Sequence, residues 1–514
     1  MTFTIFARVK RKKQGMEKVY IEGEINNIKV GMCRINLTET VVTREDGTHF
    51  VKKNNPVIVY DTSGPYGEPS NNIGYASGLP RVREAWYARR KDIMVEKEER
   101  EKRGSSKKNT FRVKKGKCIT QMYYAKKRII SPEMEYVAIR ENQQVEALGL
   151  KSYITPDFVR KEIASGRAVI PANINHVELE PMIIGNRFFV KVNSNISIGE
   201  NFSEDDHKKV RLNCFFGVDT LMDLSSTDIP CKSRNRLISN SPVPIGTPPI
   251  YQALAKAGGR IENLSWEIFR DTLIEQLDQG VDFVSVHAAM RHSHVKMTSH
   301  RLMGIVSQAG KIISEWMNIH NEENFLYTHF SEICEIVGSY DAVISIGSGL
   351  CPGSVYDAND NAHFAELAEM RALVDTAWKQ SVQIMAEGTG HIPMNKIDPF
   401  MKEFRYICKG IPFFAPGIIN SDLAKGHDYI AMAIGGAQMA WNGASLIGGN
   451  KSQVNIEDTA HIQTDLLSYK IAAHSADLAK GHPGAQLRDN AFSKACYEKR
   501  ENDLKKLSYN KAWK

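Results

Sequence analysis

From about residue 165 onward, the apolar positions fall into a rhythm. Short apolar runs recur at 188–192, 219–224, 242–245, 283–286, 342–346, 383–386, 412–414 and 430–434, with amphipathic segments such as 299–320 and 362–381 between them. Short, nearly continuous apolar runs suit strands covered on both faces, and a longer stretch of period 3.6 suits the helix that covers them. Strand–helix alternation predicts a parallel sheet, and eight repeats favour a closed (β/α)8 barrel. A doubly wound open sheet is the runner-up, but no Gly-x-Gly-x-x-Gly or Walker loop supports it. Upstream, short strands and turns dominate, with Gly64-Pro65 punctuating Tyr60-Asp-Thr-Ser-Gly-Pro-Tyr66. Residues 84–103 carry a charged helical pattern, 104–108 form a Gly-Ser-Ser-Lys-Lys break, and Pro132 is placed to begin a helix. Downstream, 466–479 is amphipathic, Gly481-His-Pro-Gly484 is a sharp turn, and 485–507 continues as a charged helix. The expected architecture is α/β: an N-terminal α+β domain over 1–150, a (β/α)8 TIM-like barrel over 151–460, and a C-terminal helical module over 461–514.

Candidate chemistry sits where the apolar runs end. Val382-Gln-Ile-Met-Ala-Glu-Gly-Thr-Gly-His-Ile-Pro393 places Glu387 and His391 just past a strand, on a loop that glycine leaves free to turn tightly. In a barrel, the loops after the strands build the mouth, where catalytic groups lie. His391 can serve as metal ligand or general base, and Glu387 as acid/base or hydrogen-bond acceptor. Asn193, Asn195, Asp223, Tyr251, His287, Ser307 and Ser348 fall at the corresponding places of other repeats. Together they predict a small-molecule site at the rim.

Composition narrows the class. Apolar content of 42% and charged content of 25% are ordinary for a globular protein. The formal net charge is +8, much of it between residues 89 and 117, but glutamates at 96, 98, 99 and 101 interrupt that run. A solvated helix or linker is therefore expected there, rather than a nucleic-acid surface. The weakly charged run 429–450 contains Gln438 and Asn442 and reads as barrel strand, turn and packed helix, not as a membrane span. The eight cysteines include no Cys-x-x-Cys pair, so a reduced, cytoplasmic protein is expected.

Longer segments carry a resemblance. They include Ile119-Thr-Gln-Met, Pro132-Glu-Met-Glu, Ile170-Pro-Ala-Asn-Ile-Asn-His, Glu180-Pro-Met-Ile-Ile-Gly and Asn240-Ser-Pro-Val-Pro-Ile-Gly-Thr. Further on come Glu323-Asn-Phe-Leu-Tyr, Tyr469-Lys-Ile-Ala-Ala-His and Leu478-Ala-Lys-Gly-His-Pro-Gly-Ala-Gln. With Tyr60–Tyr66, these resemble the phosphomethylpyrimidine synthase family, the thiamine-pyrimidine synthases, from about residue 56 to 505. The resemblance implies a barrel between an N-terminal domain and a helical domain that swaps across a homodimer. It implies conversion of 5-aminoimidazole ribotide, a small phosphorylated imidazole nucleotide, into 4-amino-5-hydroxymethyl-2-methylpyrimidine phosphate. S-adenosylmethionine, a [4Fe–4S] cluster and a barrel metal, usually zinc, are the implied cofactors. Carried over by position, the substrate contacts are Asn195, Met222, Tyr251, His287, Ser307 and Glu387. Glu387 and His287 are the expected catalytic groups, and His391 is a metal ligand.

Departures from the family pattern fall on the same rim. Ser307-Gln308-Ala309 stands for the family's Ser-Arg-Gly, and Ser348-Gly-Leu-Cys351 for its Asp-Gly-Leu-Arg. Neither glutamine nor cysteine replaces arginine's bidentate fork for phosphate. Phe414 stands for a tyrosine and Asn455 for the second metal histidine. The family's cluster-binding Cys-x-x-Cys-x-x-x-x-Cys has no counterpart among the eight cysteines. Cys351 reads as a tolerated small residue rather than a nucleophile, and His292 and His294 as members of a solvated loop. Three functions are expected to compete: the family reaction with a cluster lent by an intact paralogue in a heterodimer, a non-catalytic ligand-binding or regulatory paralogue, or a benzimidazole-forming sister activity of cobamide synthesis.

Overall fold

The computed structural model describes residues 5–13, 15–68, 73–97, 109–150, 152–225, 231–449 and 459–509. Eight parallel strands close into one barrel in sequence order. They are β1 (Lys191–Ile196), β2 (Thr220–Asp223), β3 (Ile245–Thr247), β4 (Phe283–Val286), β5 (Val343–Ile346), β6 (Gln383–Glu387), β7 (Phe413–Pro416) and β8 (Leu446–Gly448). Strand side chains alternate between inside and outside. Met222, Phe283, Val343, Met385, Phe414 and Leu446 fill the interior, with Val169, Met182 and Ile184. Leu221, Val284, Ile344, Ile384, Phe413 and Ile447 face the helices and join the main core. The interior is thus a packed core, and a ligand is confined to the ends.

One end is plugged. A short antiparallel hairpin, Ala168–Val169 with Ile184–Gly185, contributes Val169 and Ile184 to the interior cluster. Gln383, the first residue of β6, fixes it by accepting from the Ile170 N–H at 2.8 Å and donating to the Ile170 carbonyl at 3.0 Å. The other end, at the strand C-termini, carries the rim loops.

Helices α1 (Glu204–Phe216), α2 (Cys231–Ser239), α3 (Trp266–Gln279), α4 (Gln308–His320), α5 (Asn361–Lys379), α6 (Met394–Ile407), α7 (Asp428–Trp441) and α8 (Thr459–Ala479) follow the eight strands. Their ends follow local chemistry. Ser203 and Asp206 form a capping box before α1, Ser265 caps α3 and Asp360 caps α5. Gly217 and Gly280 end α1 and α3 at positive φ, where an L side chain is strained.

Several expected elements move. The run 430–434 is helical, within α7, and the eighth strand is Leu446–Gly448. Helix and strand in 429–450 therefore come in the opposite order to that expected. α7 buries Ala431, Met432, Gly435, Gly436, Met439 and Ala440 and exposes Ile430 and Ile434, so the run 430–434 is apolar on both faces and looks strand-like in a short window. β1 begins at Lys191 rather than 188. The segment before α4 is a 3-10 turn, Lys296–His300, and a loop; the helix begins only after Ser307. The charged stretch after residue 84 is helical only over Glu84–Ala88, and Ile93–Lys97 pairs as a strand with Asn109–Val113. The helix expected over 485–507 is two helices, Pro483–Tyr497 and Glu501–Leu507, separated by Lys499 at φ 53°. The break expected at 104–108 lies outside the described residues.

The N-terminal region contains a four-stranded antiparallel sheet of Ile5–Lys13, Met16–Glu22, Lys29–Ile35 and Val57–Tyr60. Its strands Lys29–Ile35 and Val57–Tyr60 meet the C-terminal helices, where Ile35 and Val57 pack with Ala495 and Leu507. Among the described residues, no helix is long and apolar enough to cross a membrane.

Candidate active site

Glu387 ends β6 and is buried. Ser285 of β4 and Ser345 of β5 lie side by side in the sheet register. Both point inward and donate to the carboxylate, Ser285 to Oε1 and Ser345 to Oε2 at 2.8 Å. Burial pushes the Glu387 carboxyl above its ordinary range, and the two hydroxyls pull it back; among the described residues no lysine or arginine acts on it. This is a buried acceptor held by neutral groups.

Tyr251, in the short helix after β3, shares that space. Burial, chiefly, pushes its phenol up to about 12, and the Glu387 carboxylate and Cys351 thiol add to the shift. The Ala309 backbone N–H donates to the phenol oxygen and opposes it. Residues from the β3, β4, β5 and β6 loops therefore converge on one basin.

His287 follows β4 directly and is buried. Burial holds its pKa down at about 4, so it is neutral at physiological pH, and its Nδ1 has no hydrogen-bond partner in the described protein. The ring lies against Gly347, the first residue after β5. A Cβ there would come within 2.7 Å of Cε1 and 2.8 Å of both ring nitrogens, so only glycine leaves the ring in place.

On the other side of the barrel, Asn195 of β1 pairs in register with Met222 of β2. The Asn193 amide donates to Asn195 Oδ1 at 3.2 Å. Met222 belongs to the interior cluster below the rim. Ser307 caps α4, its hydroxyl accepting from the Gly310 N–H at 3.1 Å. Gln308 and Ala309 are the first residues of α4. Phe414 is buried in the interior beside Met222 and Leu446, and pairs in register with Glu387. Asp223 accepts from Arg234 at 3.2 Å and from Ser225, so its charge is already compensated.

The loop after β5 is held from below by a residue the sequence reading passed over. Glu366, on α5, accepts from the Ser348 hydroxyl at 2.6 Å, the Gly349 N–H at 2.7 Å and the Leu350 N–H at 3.1 Å. Burial pushes it up to about 7 against those bonds. Arg301 braces the same loop through the Leu350 carbonyl at 2.8 Å, while bridging to Asp360. Ser285, Ser345 and Glu366 left a signal: each is a polar residue at a core-facing position of an otherwise apolar pattern.

The metal expectations fare differently. His391 Nδ1 meets Asp422 at 2.7 Å, and its N–H donates to the Pro352 carbonyl at 2.9 Å. Asn455 lies outside the described residues. His292 faces Asn318 at 3.2 Å, while His294 Nδ1 accepts from the Arg291 N–H at 3.3 Å, so the two histidines serve separate partners. Among the described residues, no three His, Cys, Asp or Glu side chains converge to hold a metal. The described donors therefore do not make up a zinc site or a cluster site.

A buried carboxylate, a phenol and a neutral imidazole at the C-terminal ends of parallel strands place the candidate site at the rim of a (β/α)8 barrel, where the ligand sites of this fold class lie. Family comparison narrows this. The chain belongs to the Radical SAM ThiC family, whose model matches residues 120–513, and the ThiC-associated domain matches residues 13–94. At family level this is thiamine pyrimidine synthesis by radical S-adenosylmethionine chemistry with an iron–sulfur cluster. Among solved structures, similarity extends to Xanthomonas albilineans dihydropteroate synthase in complex with indole-2-carboxylic acid and 6-chloroguanine. That match is 10% identical with a TM-score of 0.35, covering 61% of this chain and 100% of that one. The Stenotrophomonas maltophilia dihydropteroate synthase with active site-bound imidazole matches at 9% identity and a TM-score of 0.32, covering 55% and 91%.

Proposed function

We propose that this chain is a ligand-binding member of its family that takes an aminoimidazole nucleotide by its heterocycle and holds the phosphate weakly. The observation that carries this is Glu387: a buried acceptor fixed by Ser285 and Ser345, with no guanidinium among the described residues acting on it. An aminoimidazole presents N–H donors that suit such an acceptor. Tyr251 and neutral His287 supply further hydrogen bonds from the same basin, and Asn195 faces it from β1. Gln308 and Cys351 stand uncharged where the family pattern, by resemblance, has arginines suited to a phosphate.

Titration calorimetry with 5-aminoimidazole ribotide and with its unphosphorylated riboside tests the reading. Affinities within about threefold of each other are expected, because a lost phosphate grip removes the main difference between the two ligands. A ribotide preference of a hundredfold overturns it. The retained Glu387, Tyr251 and His287 also support a second reading, catalysis with a cluster supplied by an intact paralogue. Cleavage of S-adenosylmethionine by the mixture above that of the paralogue alone would favour it.

A further inference from the structure

At the plugged end of the barrel, opposite Glu387, lies a cavity of about 820 Å³. Three parts of the chain enclose it: the N-terminal sheet, the entry to β1 and β2, and the C-terminal helices with α8. The rim chemistry uses none of its lining. The volume falls in the range of small-molecule sites, and the lining is charged in an unbalanced way. Eight lysine and arginine side chains line it against five carboxylates; Glu68 and Asp503, just outside the lining, pair with Lys18 and Lys506, which leaves the surplus around Arg488 and Lys505.

The imbalance is visible in individual pairs. Asp219 alone faces two cations, Arg140 at 2.7 Å and Lys470 at 3.2 Å. Arg488 donates to the Leu507 carbonyl at 2.9 Å and lies 4.1 Å over the Tyr509 ring. A carbonyl and a ring orient a guanidinium without neutralising it, and among the described residues no carboxylate forms an ion pair with Arg488. Lys505 adds an exposed ammonium to the same lining. Aromatic rings, Tyr66, Phe189 and Tyr509, stand among these cations.

We propose that this cavity is a second ligand site, for a phosphorylated anion of nucleotide size. Phosphate oxygens answer the surplus of cationic groups around Arg488, Lys470 and Lys505, and a flat ring packs against the aromatic wall. Because the lining joins the N-terminal sheet to β1 and to the C-terminal helices, occupancy ties the three together.

The test is titration calorimetry of the full chain with AMP, inorganic pyrophosphate and adenosine, at low and high salt. AMP and pyrophosphate should bind, more weakly as salt rises, and adenosine at least about tenfold more weakly than AMP. Arg488→Gln and Lys505→Gln should each weaken AMP by about tenfold. Lys505 is exposed, so its variant keeps the fold even where loss of the Arg488–Leu507 brace does not. Glu387→Gln, in the basin at the other end, should leave AMP affinity unchanged, which separates this site from the proposed aminoimidazole site. Failure of both AMP and pyrophosphate to bind overturns the proposal, as does equal affinity for adenosine. AMP binding abolished by Glu387→Gln but kept in Lys505→Gln also overturns it.

Discussion

Removing the two hydroxyls that hold Glu387 tests the basin most directly. In Ser285→Ala or Ser345→Ala, one of two hydrogen bonds to a buried carboxylate disappears. A hydrogen bond to a charged group contributes about 1.5–3 kcal/mol, and one pKa unit is about 1.4 kcal/mol. Each substitution should therefore raise the Glu387 pKa by roughly one to two units, and the double variant further still. The direction follows from the structure: burial already lifts this carboxyl, and the hydroxyls are what oppose it. A ligand that donates to the carboxylate binds to its ionised form, so affinity falls as pH drops through the Glu387 pKa. In the variants that fall should begin at higher pH, while affinity well above it recovers to near the parent value. Titration calorimetry with 5-aminoimidazole riboside across pH, paired with the carboxyl infrared band of Glu387, reads both quantities. The stability sign runs with it. A raised folded-state pKa favours the folded protein below the unfolded-state value, and that contribution is lost as pH rises through the folded-state value. An unshifted pH profile in both single variants, or an affinity loss equal at every pH, would refute the role given to Glu387.

Three further outcomes follow from named contacts. Gly347→Ala places a Cβ 2.7 Å from His287 Cε1, so the ring must turn out of the basin; riboside affinity should drop at least about tenfold, and a retained affinity would count against His287 as a ligand group. Asp341 is buried, accepts from Gln121 N at 2.8 Å and Nε2 at 2.9 Å, and is pushed up to about 8, first by burial and then by Glu133. Its folded form holds a proton that the unfolded chain releases near 3.8, so thermal stability should decline as pH rises through about 8. Asp341→Asn should flatten that slope, whose limit is about 1.4 kcal/mol per pH unit, and calorimetric scans with equal slopes in both proteins would exclude Asp341 as its source. Cys351→Arg restores a guanidinium near Tyr251 and should raise the ribotide-to-riboside affinity ratio by about tenfold; an unchanged ratio would mean that the phosphate never reaches that loop.

The barrel was legible in the sequence because its strands are buried on both faces and its helices on one. Those two patterns differ over windows as short as 283–286 and 308–320. Glu387 and His287 were legible for the same reason, as polar residues that stop an apolar run. The eighth repeat misled because the exposed face of α7 is apolar too, with Ile430, Ile434 and Trp441, so the 3.6-residue contrast is lost, and Leu446–Gly448 is too short to announce a strand. Ser285 and Ser345 were passed over because an inward hydroxyl in Phe-Val-Ser-Val or Val-Ile-Ser-Ile looks like a tolerated core serine until its neighbour strand is known. Glu366 needed the tertiary structure too, since its partners are backbone N–H groups 16 and 17 positions away. The basic cavity at the plugged end is assembled from residues between 16 and 509, a separation no local pattern reports.

The substitutions at the rim become intelligible once the anchoring of the loops is considered apart from their chemistry. The turn after β5 is held by the Ser348 hydroxyl, the Gly349 and Leu350 N–H groups and the Leu350 and Pro352 carbonyls. These anchors run through Ser348 and the main chain, so exchanging the side chain at 351 leaves them standing. The start of α4 is set by the Ser307 cap and by the close approach of Gly310 to Gly349, where a Cβ would lie 2.2 Å from the Gly349 carbonyl oxygen. Gln308 and Ala309 sit between two fixed points and contribute to neither. Uncharged residues at 308 and 351 therefore cost the fold little, because the loop geometry is maintained by other residues. Glu387 is different: its two hydroxyl partners are themselves in barrel strands, and removing the carboxylate would leave Ser285 and Ser345 unpaired in the interior. The half of the site built into the strands is tied to stability, and the half carried on the loops is free to drift. On the function proposed above, that asymmetry lets a barrel keep an acceptor for a heterocycle while residues suited to phosphate change.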